Sequence, residues 1–109
     1  MISEADIERA VDYLRDTAEP AGVARAQAEH LDEMRQVVLA RIASRMNETS
    51  EAAKDRQARA TEEYETFLAG LRAAREADYT FRNHRASALA KIDAWRSQEA
   101  SRRGVDRVG

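Results

Sequence analysis

Two histidines are the side chains of this sequence best suited to acid–base or metal chemistry, and neither lies in a supporting motif. His30 and His84 belong to no HxxxH, HExxH or ExxH arrangement, the spacings that place metal ligands on one helix face. We interpret His30 as a solvated or half-buried side chain. We interpret His84 in the same way, although its neighbours Arg82, Asn83 and Arg85 form a polar cluster that could contact a phosphate or a partner carboxylate.

Three glutamates, Glu62, Glu63 and Glu65, resemble a catalytic carboxylate cluster. Side chains one or two positions apart on a helix point in different directions, so these carboxylates suit the helix dipole better than general acid–base catalysis. The chain has no cysteine, and its sequence contains no phosphate-binding glycine loop and no Ser–His–Asp set. We therefore predict a protein that is not an enzyme, with no cofactor, no metal and no small-molecule substrate.

Asp78 and Arg85 are charged residues in an otherwise apolar helical stripe. One interpretation is that they form a polar pair that sets the register of a helix–helix interface, a known use of buried polar groups. The other is that the stripe rotates away at this point and leaves both side chains in solvent. The sequence leaves these two interpretations open.

Composition indicates long helices with a thin core. Charged residues make up 35% of the 109 residues and aromatic residues 6%, and large apolar side chains amount to roughly a fifth of the chain. We expect a single domain over residues 1–109 that gains stability from oligomerisation. Residues 1–50 carry six arginines against ten acids, whereas residues 51–109 carry twelve bases against ten acids. We expect no membrane span and no secretion signal, and hence a cytoplasmic protein.

Two helices are predicted in the first half of the chain. Ser3 and Asp6 have the spacing of a capping box, and the first helix covers residues 4–18 with an apolar stripe of Ile7, Val11 and Leu14. Pro20 disfavours helical geometry at the preceding residue, so we end this helix there. A second helix covers residues 21–46, with large apolar side chains at steps of three and four.

A linker at residues 47–60 contains only alanine as apolar material, so it is a poorly buried helical turn or a mobile link. Thr49 or Ser50 is the candidate N-cap of such a turn, and Thr61 is the candidate N-cap of the helix that follows. A long helix follows at residues 61–103, with two interleaved seven-residue series of apolar positions, and residues 104–109 form a frayed tail. Members of the series are Tyr64, Phe67, Leu71, Ala74, Phe81, Ala88, Ile92 and Trp95.

The fold class follows from these elements: all-α, an antiparallel helical hairpin of coiled-coil-like character with a short N-terminal helix and one long C-terminal helix. At 1.5 Å per residue the long helix measures about 60 Å and its partner about 40 Å, so the long helix overhangs. The overhang, from Phe81 to Trp95, either receives the first helix or remains free for another subunit. This mismatch predicts a homodimer.

Aromatic and basic side chains near the end of the long helix are the candidate binding residues, because tryptophan and arginine side by side are typical of interface anchors. The predicted partner-binding residues are Phe81, Arg85, Ile92, Trp95 and Arg96. The residues predicted for nucleic-acid contact, if it occurs, are Arg82, Arg85, Arg96, Arg102 and Arg103.

Two stretches, ATEEYETFLAGLRAA at 60–74 and IDAWRSQEASRR at 92–103, together resemble a group of small bacteriophage and prophage helical proteins with a C-terminal WRSQ-like segment. The resemblance covers roughly the C-terminal half and implies an intracellular phage setting, often near replication and recombination functions. The residues that it assigns to a shared framework are Tyr64, Leu71, Trp95, Arg96, Ser97 and Gln98.

The leading hypothesis is therefore a phage-type accessory protein that binds, through its long helix, a protein of the DNA recombination, replication or host-defence machinery, and inhibition of that protein would fit this role. The first alternative is direct DNA binding by the C-terminal arginines, which predicts an affinity that falls steeply with salt. The second is a structural assembly subunit, which predicts a higher oligomer.

Overall fold

Three helices make up almost all of the chain. A computed structural model describes residues 1–108, and their side chains as far as Arg107. Within that range helix α1 covers Glu4–Ala43, α2 covers Glu51–Arg59 and α3 covers Glu62–Val108, with no strand. The all-α fold class and the helical hairpin are confirmed, with α1 and α3 as the two antiparallel arms.

The hairpin divides into two compact units. The central unit comprises Gly22–Asp78, and the terminal unit comprises Met1–Ala21 together with α3 from Tyr79 onward. α1 and α3 each contribute to both units. The division into units therefore does not test the prediction of a single domain.

The central unit contains the larger apolar core. Leu39 and Ile42 of α1, Ala58 of α2 and Tyr64 of α3 are buried together, and Leu71 of α3 is likewise fully buried. Each helix start here has the predicted cap: the amide of Ala53 donates to Ser50 Oγ at 3.1 Å, and the amide of Tyr64 donates to Thr61 Oγ1 at 3.1 Å. These caps satisfy amides that the helices cannot pair internally.

The terminal unit is built on smaller side chains. Ala10 of α1 and Ala88 of α3 are its buried residues, and the Tyr13 and His84 rings meet edge to face with centroids 6.3 Å apart. The predicted capping box is present at the start of α1, where Asp6 accepts from the Ser3 amide at 2.9 Å and Ser3 Oγ accepts from the Asp6 amide at 3.1 Å. Several large apolar side chains of this unit, among them Leu14, Phe81 and Ile92, are half-buried.

The predicted break between a helix at 4–18 and a second at 21–46 is wrong, because α1 continues through Pro20. Pro20 and Asp16, whose carbonyl loses its intrahelical donor, are both exposed residues. Most of the buried and half-buried positions of α1 keep one helical phase on both sides of the proline, as expected of a single helix. Those that follow this phase are Ile7, Ala10, Leu14, Thr17, Ala21, Ala24, Ala28, Leu31, Arg35, Val38 and Ile42.

The other boundaries also differ from prediction. α1 ends at Ala43 instead of 46, since Arg45 and Met46 donate to carbonyls three residues back, at 3.1 and 3.0 Å, in a tightened last turn. Most of the predicted linker at 47–60 is α2. The predicted frayed tail at 104–109 is helical through Val108, and Gly109 lies outside the described residues.

The predicted overhang at residues 81–95 receives the first part of α1. Arg85 of α3 bonds to Leu14 and Thr17 of α1, so the length mismatch that predicted a free apolar edge there does not exist. The apolar stripe of the first helix also differs, because Ala10 is buried and Val11 is 47% exposed. None of the three described helices combines the length and apolar character needed to cross a lipid bilayer.

Candidate binding surface at the C-terminal end of α3

The predicted partner-binding residues divide into half-buried and exposed side chains. Phe81, Ile92 and Trp95 are half-buried, whereas Arg96 is exposed. Arg96 lies 3.7 Å from Asp93, and both side chains are about three-quarters exposed. Such a surface ion pair contributes little to stability, so the Arg96 guanidinium can exchange Asp93 for another carboxylate. Trp95 and Arg96 therefore combine an apolar anchor with an available cation.

Arg85 faces inward and is occupied. Its Nη1 donates to the Leu14 carbonyl oxygen at 2.8 Å and to Thr17 Oγ1 at 2.7 Å. Thr17 Oγ1 in turn donates to the Tyr13 carbonyl at 2.6 Å. Arg85 is thus an internal polar contact between α1 and α3 through its Nη1 atom.

The two predicted register residues are both withdrawn from solvent to some degree. Asp78 is 5% exposed and Arg85 is half-buried, so the interpretation that left both in solvent is wrong. The hydrogen bonds of Arg85 to Leu14 and Thr17 hold it against α1, which is a register contact within the chain. The pairing of Asp78 with Arg85 remains a prediction.

Among the described residues, none covers the last part of α3. We call residues 100–107 the C-terminal extension, since each of them is exposed. Half-buried Gln98 and Glu99 come just before it. An isolated helix of this length would not be stable in water, so its helical form depends on continuation from the packed part of α3. The extension is a preformed helical surface outside the core.

Arginine dominates the charge of the extension. It carries three arginines and one acid: Arg102, Arg103, Arg107 and Asp106. Arg102 Nη2 lies 3.0 Å from Glu99 Oε2, and Arg103 forms no ion pair with any residue that the structure describes. Arg82, the remaining arginine predicted for nucleic-acid contact, lies over the Tyr79 ring at 5.9 Å. Four of the five predicted arginines therefore remain at the surface of the terminal unit.

The carboxylates and His30 lie apart from this surface. Glu62, Glu63 and Glu65 occupy the first turn of α3, and Glu63 accepts from Arg45 at 2.6 Å, in keeping with a structural role. His30 is exposed. Among the described residues, no group of three or more His, Cys, Asp or Glu side chains could hold a metal ion.

Sequence reasoning missed a groove between α1 and α3 in the terminal unit. Arg9 and Tyr13 line it from α1, and His84, Ser87 and Lys91 line it from α3. One feature of the sequence does single out a residue of this groove: Lys91 is one of only two lysines in a chain with sixteen arginines. Its position seven residues after His84 places both on one helix face.

Comparison with known proteins adds no relative: no protein family, no curated protein and no solved structure matches the chain.

Proposed function

We propose that this chain is a non-enzymatic binding protein that docks a protein partner on Trp95, Arg96 and the C-terminal extension. The observation that carries the proposal is the extension itself, in which residues 100–107 are all exposed on a helix that continues from the packed part of α3. A helix held in its bound conformation loses little conformational entropy on association.

The partner surface should be acidic. The extension has a net charge of +2, and Arg96 adds a further exposed cation beside a half-buried tryptophan. Tryptophan and arginine are the side chains most enriched among residues that dominate binding energy. The resemblance of residues 60–74 and 92–103 to phage proteins supports a partner from recombination, replication or host-defence machinery, in the cytoplasm of a host cell, with inhibition of that partner as the outcome.

The test is partner capture followed by quantitative binding. After affinity capture from host lysate, the captured protein is purified and its Kd is measured by calorimetry for the intact chain and for Arg102→Glu/Arg103→Glu. We expect the double reversal to weaken binding at least about tenfold. Arg72→Glu is the matched control, because Arg72 is exposed on the same helix in the central unit.

Equal affinity for both variants would refute the role of the extension. Trp95→Ala/Arg96→Ala tests the adjoining anchor in the same assay, with circular dichroism as the check that α3 remains folded.

Direct DNA binding is the second candidate, supported by the exposed arginines of the same extension. Arg85 no longer belongs to that set, because it is bonded to α1. Fluorescence anisotropy with single- and double-stranded oligonucleotides at low salt separates the two functions. DNA binding predicts an affinity that falls steeply with salt and is lost in Arg102→Glu/Arg103→Glu.

A homodimer is a separate proposal. Its remaining support is the thin core, because the mismatch in helix length that predicted a dimer is not present. Only Ile42 and Leu71 are large side chains with less than 2% exposure among the described residues, and chains with small cores often gain stability by association. Light scattering should give twice the chain mass of 12.3 kDa. A single-chain mass would exclude the dimer, and a much larger mass would favour the structural-assembly alternative.

A further inference from the structure

The groove of the terminal unit has room for a small ring. Its volume is about 260 Å³, compared with roughly 150 Å³ for a cavity that binds benzene. Ala10 of α1 and Ala88 of α3 are among the residues that line it, and both are buried. Their methyl groups give the groove an apolar part.

Polar donors line both walls of the groove. His84, Ser87 and Lys91 follow one another at steps of three and four on α3, and Arg9 and Tyr13 are four apart on α1. Residues with these spacings lie on one helix face. The guanidinium, ammonium and hydroxyl groups of the two helices therefore border the same space.

The charge of the groove is positive. Asp6, the carboxylate that lines it, is paired with Arg9, whose side chain is 71% exposed, and such an exposed pair exchanges readily with another anion. Lys91 forms no ion pair with any described residue. Arg9, Lys91 and Asp6 together carry a net charge of +1, which the Lys91 ammonium supplies.

We propose that the groove binds an aryl phosphate monoester. The phosphate oxygens accept hydrogen bonds from Lys91, Ser87 and Arg9, and the ring lies on the two alanines next to the Tyr13 ring. A phosphate monoester carries close to two negative charges at neutral pH and three acceptor oxygens, which matches two cations and a hydroxyl better than a carboxylate does. This small-molecule site is independent of the proposed protein-binding function.

Phenyl phosphate is the probe, followed by NMR at the His84 imidazole and the Tyr13 ring. We expect saturable shifts at both rings, and an affinity about two- to fivefold weaker in Lys91→Gln, the scale for loss of one exposed charge contact. Lys54→Gln is the matched control, since Lys54 is the other lysine and pairs with Glu51 in the central unit. It should bind as the intact chain does.

Three further ligands test the two halves of the proposal. Benzyl alcohol presents the ring without the charge, and inorganic phosphate presents the charge without the ring. Benzoate presents the ring with one negative charge instead of two. Each of these ligands should bind more weakly than phenyl phosphate. The absence of saturable shifts up to about 10 mM phenyl phosphate would overturn the proposal. Equal binding by the two lysine variants, or by phosphate and phenyl phosphate, would overturn it as well.

Discussion

Residue identity along α1 and α3 explains why the two units differ in their packing. In the central unit the buried positions include Leu39, Ile42 and Leu71, whose large side chains supply most of the apolar area removed from water. In the terminal unit the buried residues Ala10 and Ala88 supply little. Directed polar contacts such as those of Arg85 therefore carry more of the specificity there.

Ile42→Ala should be strongly destabilising. Ile42 is 1% exposed in the core of the central unit, so truncation removes buried methyl groups and leaves a cavity, at a cost of about 2–5 kcal/mol. Urea unfolding followed by circular dichroism measures the change. Val23→Ala is the control, because Val23 is 64% exposed and should change the free energy of unfolding by under about 0.5 kcal/mol. Similar losses in both variants would contradict the assigned core.

Arg85→Ala tests the internal polar contact of the terminal unit. The substitution leaves Thr17 Oγ1 and the Leu14 carbonyl without their donor, which should lower the free energy of unfolding by roughly 1–3 kcal/mol. A double-mutant cycle with Thr17→Val isolates the side-chain contact. Strict additivity of the two substitutions would show that Arg85 and Thr17 do not interact in solution.

Asp6 predicts a local dependence on pH. The Ser3 amide, then the Ser3 hydroxyl and Arg9, hold the pKa of the Asp6 carboxyl below its ordinary value of 3.8. A lowered folded-state pKa means that this stabilisation is present above the unfolded-state pKa and is lost as pH falls through the folded-state pKa. The protection factors of the first amides of α1 against hydrogen exchange, which correct for the intrinsic effect of pH on the exchange rate, should therefore fall in acid. Asp6→Asn should remove this dependence on pH. The same dependence in the variant would show that Asp6 is not its source.

At the scale of the element, α1 shows that a proline inside a sequence need not end a helix. Pro20 lacks the amide that would donate to Asp16, and both Asp16 and Pro20 are exposed. Water partly offsets the cost of this missing hydrogen bond. The residues of α1 that pack against α3 keep the same helical phase before and after Pro20. The signal for continuity was the run of small residues Thr17, Ala21, Ala24 and Ala28, which a search for large apolar side chains does not detect.

Pro20→Ala should stabilise the chain. It restores an intrahelical donor and removes the ring's clash with the preceding turn, for a gain of roughly 1–3 kcal/mol. Ala26→Pro is the matched contrast at another exposed position of α1 and should destabilise by about 3 kcal/mol or more. Thermal unfolding of both variants gives the comparison. A loss of stability in Pro20→Ala would show that the proline conformation is required where it stands.

At the scale of the whole molecule, the extension should be separable from the fold. Removal of residues 100–109 takes away only exposed side chains among those described, so the free energy of unfolding should change by under about 0.5 kcal/mol. The helical circular dichroism signal should fall in proportion to the residues removed. A large destabilisation would show that the extension belongs to the core, and would remove the main support for a docking role.

The amino-acid sequence by itself determined the helical class, the hairpin and the capping residues Ser3 and Thr61, and it narrowed the cap of α2 to Thr49 or Ser50. These depend on local spacing and on side chains that reach only a few residues along the chain. Only the tertiary structure decided that α1 passes through Pro20, that Arg85 bonds to Leu14 and Thr17, and that α1 covers the middle of α3. Those outcomes depend on which small and polar side chains face one another across two helices, and single-helix periodicity does not contain that information.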